Sequence, residues 1–129
     1  MDRLKERIAF ADKAVTTLES VLREPERSAL WRDACIKRFE YSFETTWKAA
    51  QRYLALQGTE LASPKPVIRA CFQSGLLDEM EAEAALAMVE DRNLAAHTYD
   101  EKLAEVLASR LPAHAKLLRA WVDRLARTA

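Results

Sequence analysis

The amino-acid sequence predicts an all-α fold, an up-and-down antiparallel bundle of about five to six helices. Three observations lead there. Only 2 Gly and 4 Pro occur in 129 residues, too few to punctuate an all-β chain, which needs a turn signal about every 8–12 residues. Apolar residues recur at steps of three and four, the period of a helix with one buried face. The longest uninterrupted apolar run, Ala84 to Val89, is far shorter than the ~20 residues that span a bilayer, so no membrane partner is expected. The length suits one domain over residues 1–129, large enough to bury a core without staples.

The elements follow in order. Leu4, Ile8, Ala11, Val15, Leu18 and Leu22 form the stripe of a first helix, which Glu24-Pro25 ends because Pro removes a donor and clashes with the preceding turn. A second, longer helix runs from about Ser28 to Leu56, with Ile36, Phe39, Phe43, Trp47, Ala50 and Leu54 on one face and Gly58 as its stop. As the most aromatic stretch, it is the expected central packing helix. Ser63-Pro64 opens a short third helix, with Ser as N-cap and Pro at the first helical position, that ends near Gly75. Asp78 with Glu81 resembles a capping box for a fourth helix reaching about Arg92, and Thr98 with Glu101 repeats that pattern for a fifth. Pro112 is expected to break the chain before a sixth helix carrying Leu118, Val122 and Leu125.

Charge excludes some functions and leaves others open. Twenty basic residues balance twenty acidic ones, which argues against a broadly basic nucleic-acid coat. The distribution is uneven, however. Asp78 to Asp91 holds six acids and no base, while the C-terminal stretch holds Arg110, Lys116, Arg119, Arg124 and Arg127 against Asp123. These read either as solvated faces or as an acidic and a basic surface serving different partners. Cys35 and Cys71 sit among apolar residues and read as core side chains in a reducing, cytoplasmic setting. Charged residues recur from Asp2 onward, so no signal peptide is expected.

Chemistry concentrates at Arg92-Asn93-Leu94-Ala95-Ala96-His97-Thr98-Tyr99, the junction of the fourth and fifth helices. Asn93 and His97 share a face if the helix persists, so that the amide can select the imidazole tautomer. Histidine exchanges protons near neutrality and arginine suits a phosphate. The pair therefore suits RNA phosphodiester cleavage without a metal: no His/Cys or carboxylate cluster stands at ligand spacing, and no cofactor is expected. In-line cleavage needs an acid and a base, which a symmetric homodimer supplies by facing two motifs across its axis. The plainer alternative is a His favoured by a helix C-terminus and an Arg in a surface ion pair. His114, without such neighbours, is expected on the surface of the sixth helix, and Trp31 and Trp121 are expected as core or dimer anchors.

The motif Arg92-Asn93-x-x-x-His97-x-Tyr99 resembles the signature of the HEPN superfamily (higher eukaryotes and prokaryotes nucleotide-binding), in the form found in toxins paired with minimal nucleotidyltransferases. A second block, Lys37 to Lys48, is similar to the aromatic helix of the family named nucleotidyltransferase substrate-binding proteins. Ser63-Pro64 and Tyr99-Asp100-Glu101 agree in order and spacing, and the resemblance covers roughly Leu4 to Leu111. It implies a dimeric helical bundle acting as a metal-independent endoribonuclease toxin. Arg92 and His97 would be the catalytic pair, with Asn93 at the polar position after the Arg. It also implies a cognate nucleotidyltransferase that neutralises the toxin by attaching AMP to Tyr99. Glu40 and Glu44 fit a cleft-lining role, or for Glu44 an i,i+4 pair with Lys48. The older view of the family implies instead a non-catalytic subunit that holds a nucleotide or another small substrate for the transferase.

Overall fold

The computed structural model describes residues 3–25 and 28–129, and every regular element among them is helical. Helix α1 spans Arg3–Leu22, α2 Ala29–Leu56, α3 Pro64–Gln73, α4 Glu79–Leu94 and α5 Glu101–Thr128, with a 3₁₀ turn at Ala95–His97 between the last two. The predicted stripes are the buried ones. Leu4, Ile8, Ala11, Val15 and Leu18 of α1 meet Ile36, Phe39, Phe43, Trp47, Ala50 and Leu54 of α2 in a single core. Each large aliphatic or aromatic side chain withdrawn from water there contributes about 1.5–3 kcal/mol.

Local chemistry sets most of the boundaries. Ser28 caps α2 by accepting from the Trp31 amide at 3.1 Å. Asp78 and Glu81 complete a reciprocal capping box, with bonds of 2.8 and 2.9 Å. Gly58 and Gly75 sit at φ +95° and +82°, the left-handed conformation in which a helix end turns away cheaply only at glycine. Two expected caps differ. Ser63 is extended as a cap should be, yet its side chain makes no capping bond. The start of α5 is capped by Asp100, which accepts from the Lys102 and Leu103 amides, and not by Thr98.

Ion pairs and neighbours give the helix directions. Glu81 meets Arg124 and Asp91 meets Arg110, so α4 and α5 are antiparallel. Asp12 and Glu19 of α1 meet Arg119 of α5, and Arg3 and Arg7 lie beside Arg52 and Ala55, so α1 opposes α2. The order is up-down-up-down, with α2 and α5 as the central diagonal pair and α3 packed between α2 and α4. The indole Nε1 of Trp31 donates to Val21 O at 2.8 Å, fastening the α1–α2 corner. Trp121 is fully buried in the core.

Pro112 does not break the chain. A single helix of 28 residues runs through it, so there is no sixth helix. Buried residues flank it, from Ala104, Leu107 and Leu111 to Ala115, Leu118 and Trp121, and burying this continuous face outweighs the one lost backbone bond. Pro112 itself faces solvent. Pro112→Ala is accordingly expected to stabilise the fold by about 2 kcal/mol, combining the helix-interior penalty of Pro with its smaller unfolded-state benefit. Denaturant unfolding would check this.

Candidate functional site at the end of helix α4

The last turn of α4 does not continue as a regular helix. Ala95–His97 tighten into a 3₁₀ turn, and the Asp100 amide bonds back to His97 O at 3.1 Å. This corrects the expectation of a shared Asn93/His97 face: the two side chains form no hydrogen bond, and Asn93 is exposed. The turn instead brings His97 and Tyr99 together outside the bundle. Their rings lie edge to face with centroids 6.0 Å apart. Tyr99 is 84% exposed, so it is not a packing residue of α5.

Arg92 is held differently. Its Nε donates to Glu44 Oε1 at 3.0 Å, bridging α4 to the middle of α2. Its terminal nitrogens have no hydrogen-bond partner among the described residues, so the guanidinium is oriented by one edge and free at the other. Glu44 also accepts from Trp47 Nε1 at 3.2 Å and pairs with Lys48 at 3.4 Å, the i,i+4 pair expected from the sequence. Burial alone would push its carboxyl up. The Trp47 hydrogen bond and the Arg92 and Lys48 charges more than reverse this, leaving it below its ordinary value of 4.5. A carboxylate depressed in the folded state supplies its stabilisation above the unfolded value and loses it as pH falls through the folded one. The Glu44–Arg92 tie should therefore persist at neutral pH and release only below about pH 4.5, as a carboxyl-detected NMR titration would show. Glu40, one turn earlier on the same face of α2, is half-buried and has no ion-pair partner among the described residues.

Asp91, one residue before Arg92, was not singled out from the sequence. It is 4% exposed and shared by two side chains of α5: Arg110 Nη1 reaches Oδ1 and His114 Nε2 reaches Oδ2, each at 2.7 Å. His114 is thus buried, contrary to the surface position expected of it, and its ring also stacks on Phe39 at 5.2 Å. The signal that might have revealed it is the pair of residues four apart, Arg110 and His114, on one face of a helix facing an acidic α4.

Part of the uneven charge is neutralised between helices. Arg124 forms a two-pronged pair with Glu81, at 2.6 and 2.7 Å, and Arg119 gathers Asp12, Glu19 and Asp123. Lys65 takes Glu90 at 2.7 Å. Part of the acidic face of α4 and of the basic face of α5 therefore ties helices together, while Glu79, Glu83, Lys116 and Arg127 stay exposed. Cys35 and Cys71 are buried and not joined in a disulfide, and burial pushes the Cys71 thiol up to about 12, so it stays protonated at neutral pH. No helix among the described residues is long and apolar enough to cross a membrane.

Several comparisons bear on this geometry. A Thermus thermophilus protein of known crystal structure is 48% identical, with a TM-score of 0.85 over 89% of this chain and 98% of its own. A tri-AMPylated Shewanella oneidensis HEPN toxin, solved in complex with an MNT antitoxin, is 17% identical with a TM-score of 0.80 over 98% of each chain. A chain of a toxin–antitoxin pair solved with AMP-PNP is 16% identical with a TM-score of 0.79 over 97% of this chain and 98% of its own. At these identities the last two show a shared fold. Curated proteins give no match. Residues 6–127 match the family described as nucleotidyltransferase substrate binding protein like. That match covers nearly the whole bundle, including Arg92, His97 and Tyr99, and the chain belongs to this family.

Proposed function

We propose that the chain is a HEPN-type toxin, a metal-independent endoribonuclease that acts as a homodimer and is neutralised by a cognate nucleotidyltransferase antitoxin. One observation carries the reading. Of the two histidines, His114 is fully engaged in the interior, whereas His97 stands exposed beside Tyr99 on the segment that follows Arg92. His97 is thus the histidine left accessible to a ligand.

In the proposed reaction, neutral His97 takes the proton of a ribose 2′-hydroxyl, and the oxygen attacks the adjacent phosphorus. The free edge of the Arg92 guanidinium receives the charge of the pentacoordinate state, with Glu44 fixing its orientation. The 5′-oxygen leaves with a proton from the His97 imidazolium of the second copy, giving a 2′,3′-cyclic phosphate and a 5′-hydroxyl. Asn93 would line the same cleft. Tyr99 is the proposed acceptor of AMP. Its exposure admits a transferase, and the added phosphate would place a bulky anion beside His97 and toward Arg92. The fold shared with a tri-AMPylated HEPN toxin bound to an antitoxin supports this assignment.

Incubating the purified protein with RNA in EDTA tests the reading. Cleavage to cyclic-phosphate ends is expected, and intact RNA at all enzyme concentrations would overturn it. The family description favours one alternative, a non-catalytic subunit that presents a nucleotide or small substrate to a nucleotidyltransferase. That reading predicts no cleavage by the chain alone.

A further inference from the structure

Three of the arginines that pair with no carboxylate among the described residues meet at one cavity. A cleft of about 520 Å³ opens between the start of α1, the last turns of α2 and the segment leading to α3. Arg3, Arg7 and Arg52 line it, against one carboxylate, Glu60. Arg32, Arg92, Arg110, Arg119 and Arg124 each meet a carboxylate. None of Arg3, Arg7 and Arg52 does so among the described residues. The Nε of Arg52 is moreover shut off from solvent without an acceptor. A buried cationic donor left unpaired is costly, and three guanidinium groups around one cavity repel one another until an anion joins them. Gln51 helps hold the cleft open, its amide donating to Leu61 O at 2.7 Å and fixing the far wall.

The position of the cleft points to its ligand. Glu44, Lys48, Gln51 and Ala55 follow at steps of four, three and four, which is one face of α2. Arg52 lies about 12 Å along the helix axis from Glu44, the residue that orients Arg92. Lys48 stands between them on that stripe. A strand whose scissile phosphate sits at Arg92 would, if it ran along α2, deliver a neighbouring backbone phosphate to the arginine cleft a few nucleotides away.

We propose that Arg3, Arg7 and Arg52 form a phosphate subsite that holds the backbone of a single-stranded RNA at a distance from the cleaved bond. The ribonuclease reading above supplies the strand's register, and the inference rests on that reading. Phosphate contacts position a strand without reading its sequence, so the subsite sets where and how tightly a strand lies, with no base preference of its own. It also accounts for RNA binding by a chain with no net charge.

The test uses full-length protein and 2′-O-methyl RNA oligonucleotides, which lack the attacking hydroxyl and stay intact. Fluorescence anisotropy is measured across a salt series for wild type and for the double variant Arg7→Gln/Arg52→Gln. Arg3→Gln, at an exposed position, serves as a second variant whose folding is not at risk. The double variant is expected to bind about tenfold or more weakly, equally for oligonucleotides of different sequence, with a salt slope shallower by ~1.4. Arg3→Gln should show about half of that change in slope. Unchanged affinity and slope in both variants would overturn the subsite. Tripolyphosphate binding that the variants lose, with no oligonucleotide binding by wild type, would assign the cleft to free polyphosphate and equally overturn it. The two readings fail separately. If the variants lose oligonucleotide binding but wild type cleaves no RNA, the subsite stands and the nuclease does not. If cleavage proceeds with KM unchanged in both variants, the nuclease stands and the subsite does not.

Discussion

His97→Ala is expected to lower single-turnover RNA cleavage by about 10²–10⁴-fold, the usual contribution of a positioned general acid or base. Stability should change little, because the ring is exposed and its aromatic contact is with the equally exposed Tyr99. That combination, a large kinetic loss with an unaltered melting midpoint, separates catalysis from folding. Arg92 offers a sharper version of the same experiment. Arg92→Lys keeps the charge but loses the planar fork that lets one edge bind Glu44 while the other faces phosphate. The rate should fall substantially despite the conserved charge. A His97→Ala protein that cleaves at the wild-type rate would remove the motif from the chemistry.

The largest expected effect on stability comes from a residue with no proposed contact with substrate. Asp91→Ala leaves His114 buried without its 2.7 Å partner and removes the acceptor of the half-exposed Arg110. Leaving a buried polar group without its partner costs up to about 3 kcal/mol, readable as a lower urea midpoint at an unchanged slope. Part of that loss should be recovered when His114 is also replaced, because the unpaired ring is then gone. A double-mutant cycle over Asp91 and His114 would show a coupling of about 1 kcal/mol or more. Additive losses would mean that the 2.7 Å contact contributes nothing. Arg92 follows Asp91 directly, so this anchor also fixes the α4 turn from which Arg92 reaches Glu44, and Asp91→Asn should disturb cleavage less than Asp91→Ala.

The helices and their buried faces were legible from periodicity because each stripe is a local property of its own segment. Leu4 to Leu18 on α1 and Ile36 to Leu54 on α2 need no knowledge of what they pack against. The Asp78/Glu81 capping box is legible for the same reason, since its donors and acceptors lie within one turn. Pro112 was misread because a residue's own preference is weighed locally, whereas the face that overrides it extends for several turns to either side.

The site divides along the same line. The sequence by itself singled out the residues to which the proposed chemistry is assigned: Arg92, His97 and Tyr99 stand close along the chain, the first two of types suited to phosphate binding and proton transfer, the third marked by the family resemblance. Only the tertiary structure decided how they are held. Glu44 reaches Arg92 from 48 residues away, and Asp91 takes its partners from 19 and 23 residues away. Tertiary contacts also paired the acidic face of α4 with the basic face of α5, and left three arginines from two helices around an open cleft. The physical reason is that charge can be counted in a sequence, but whether it is neutralised depends on distance. Distances between side chains remote along the chain exist only once the helices have packed.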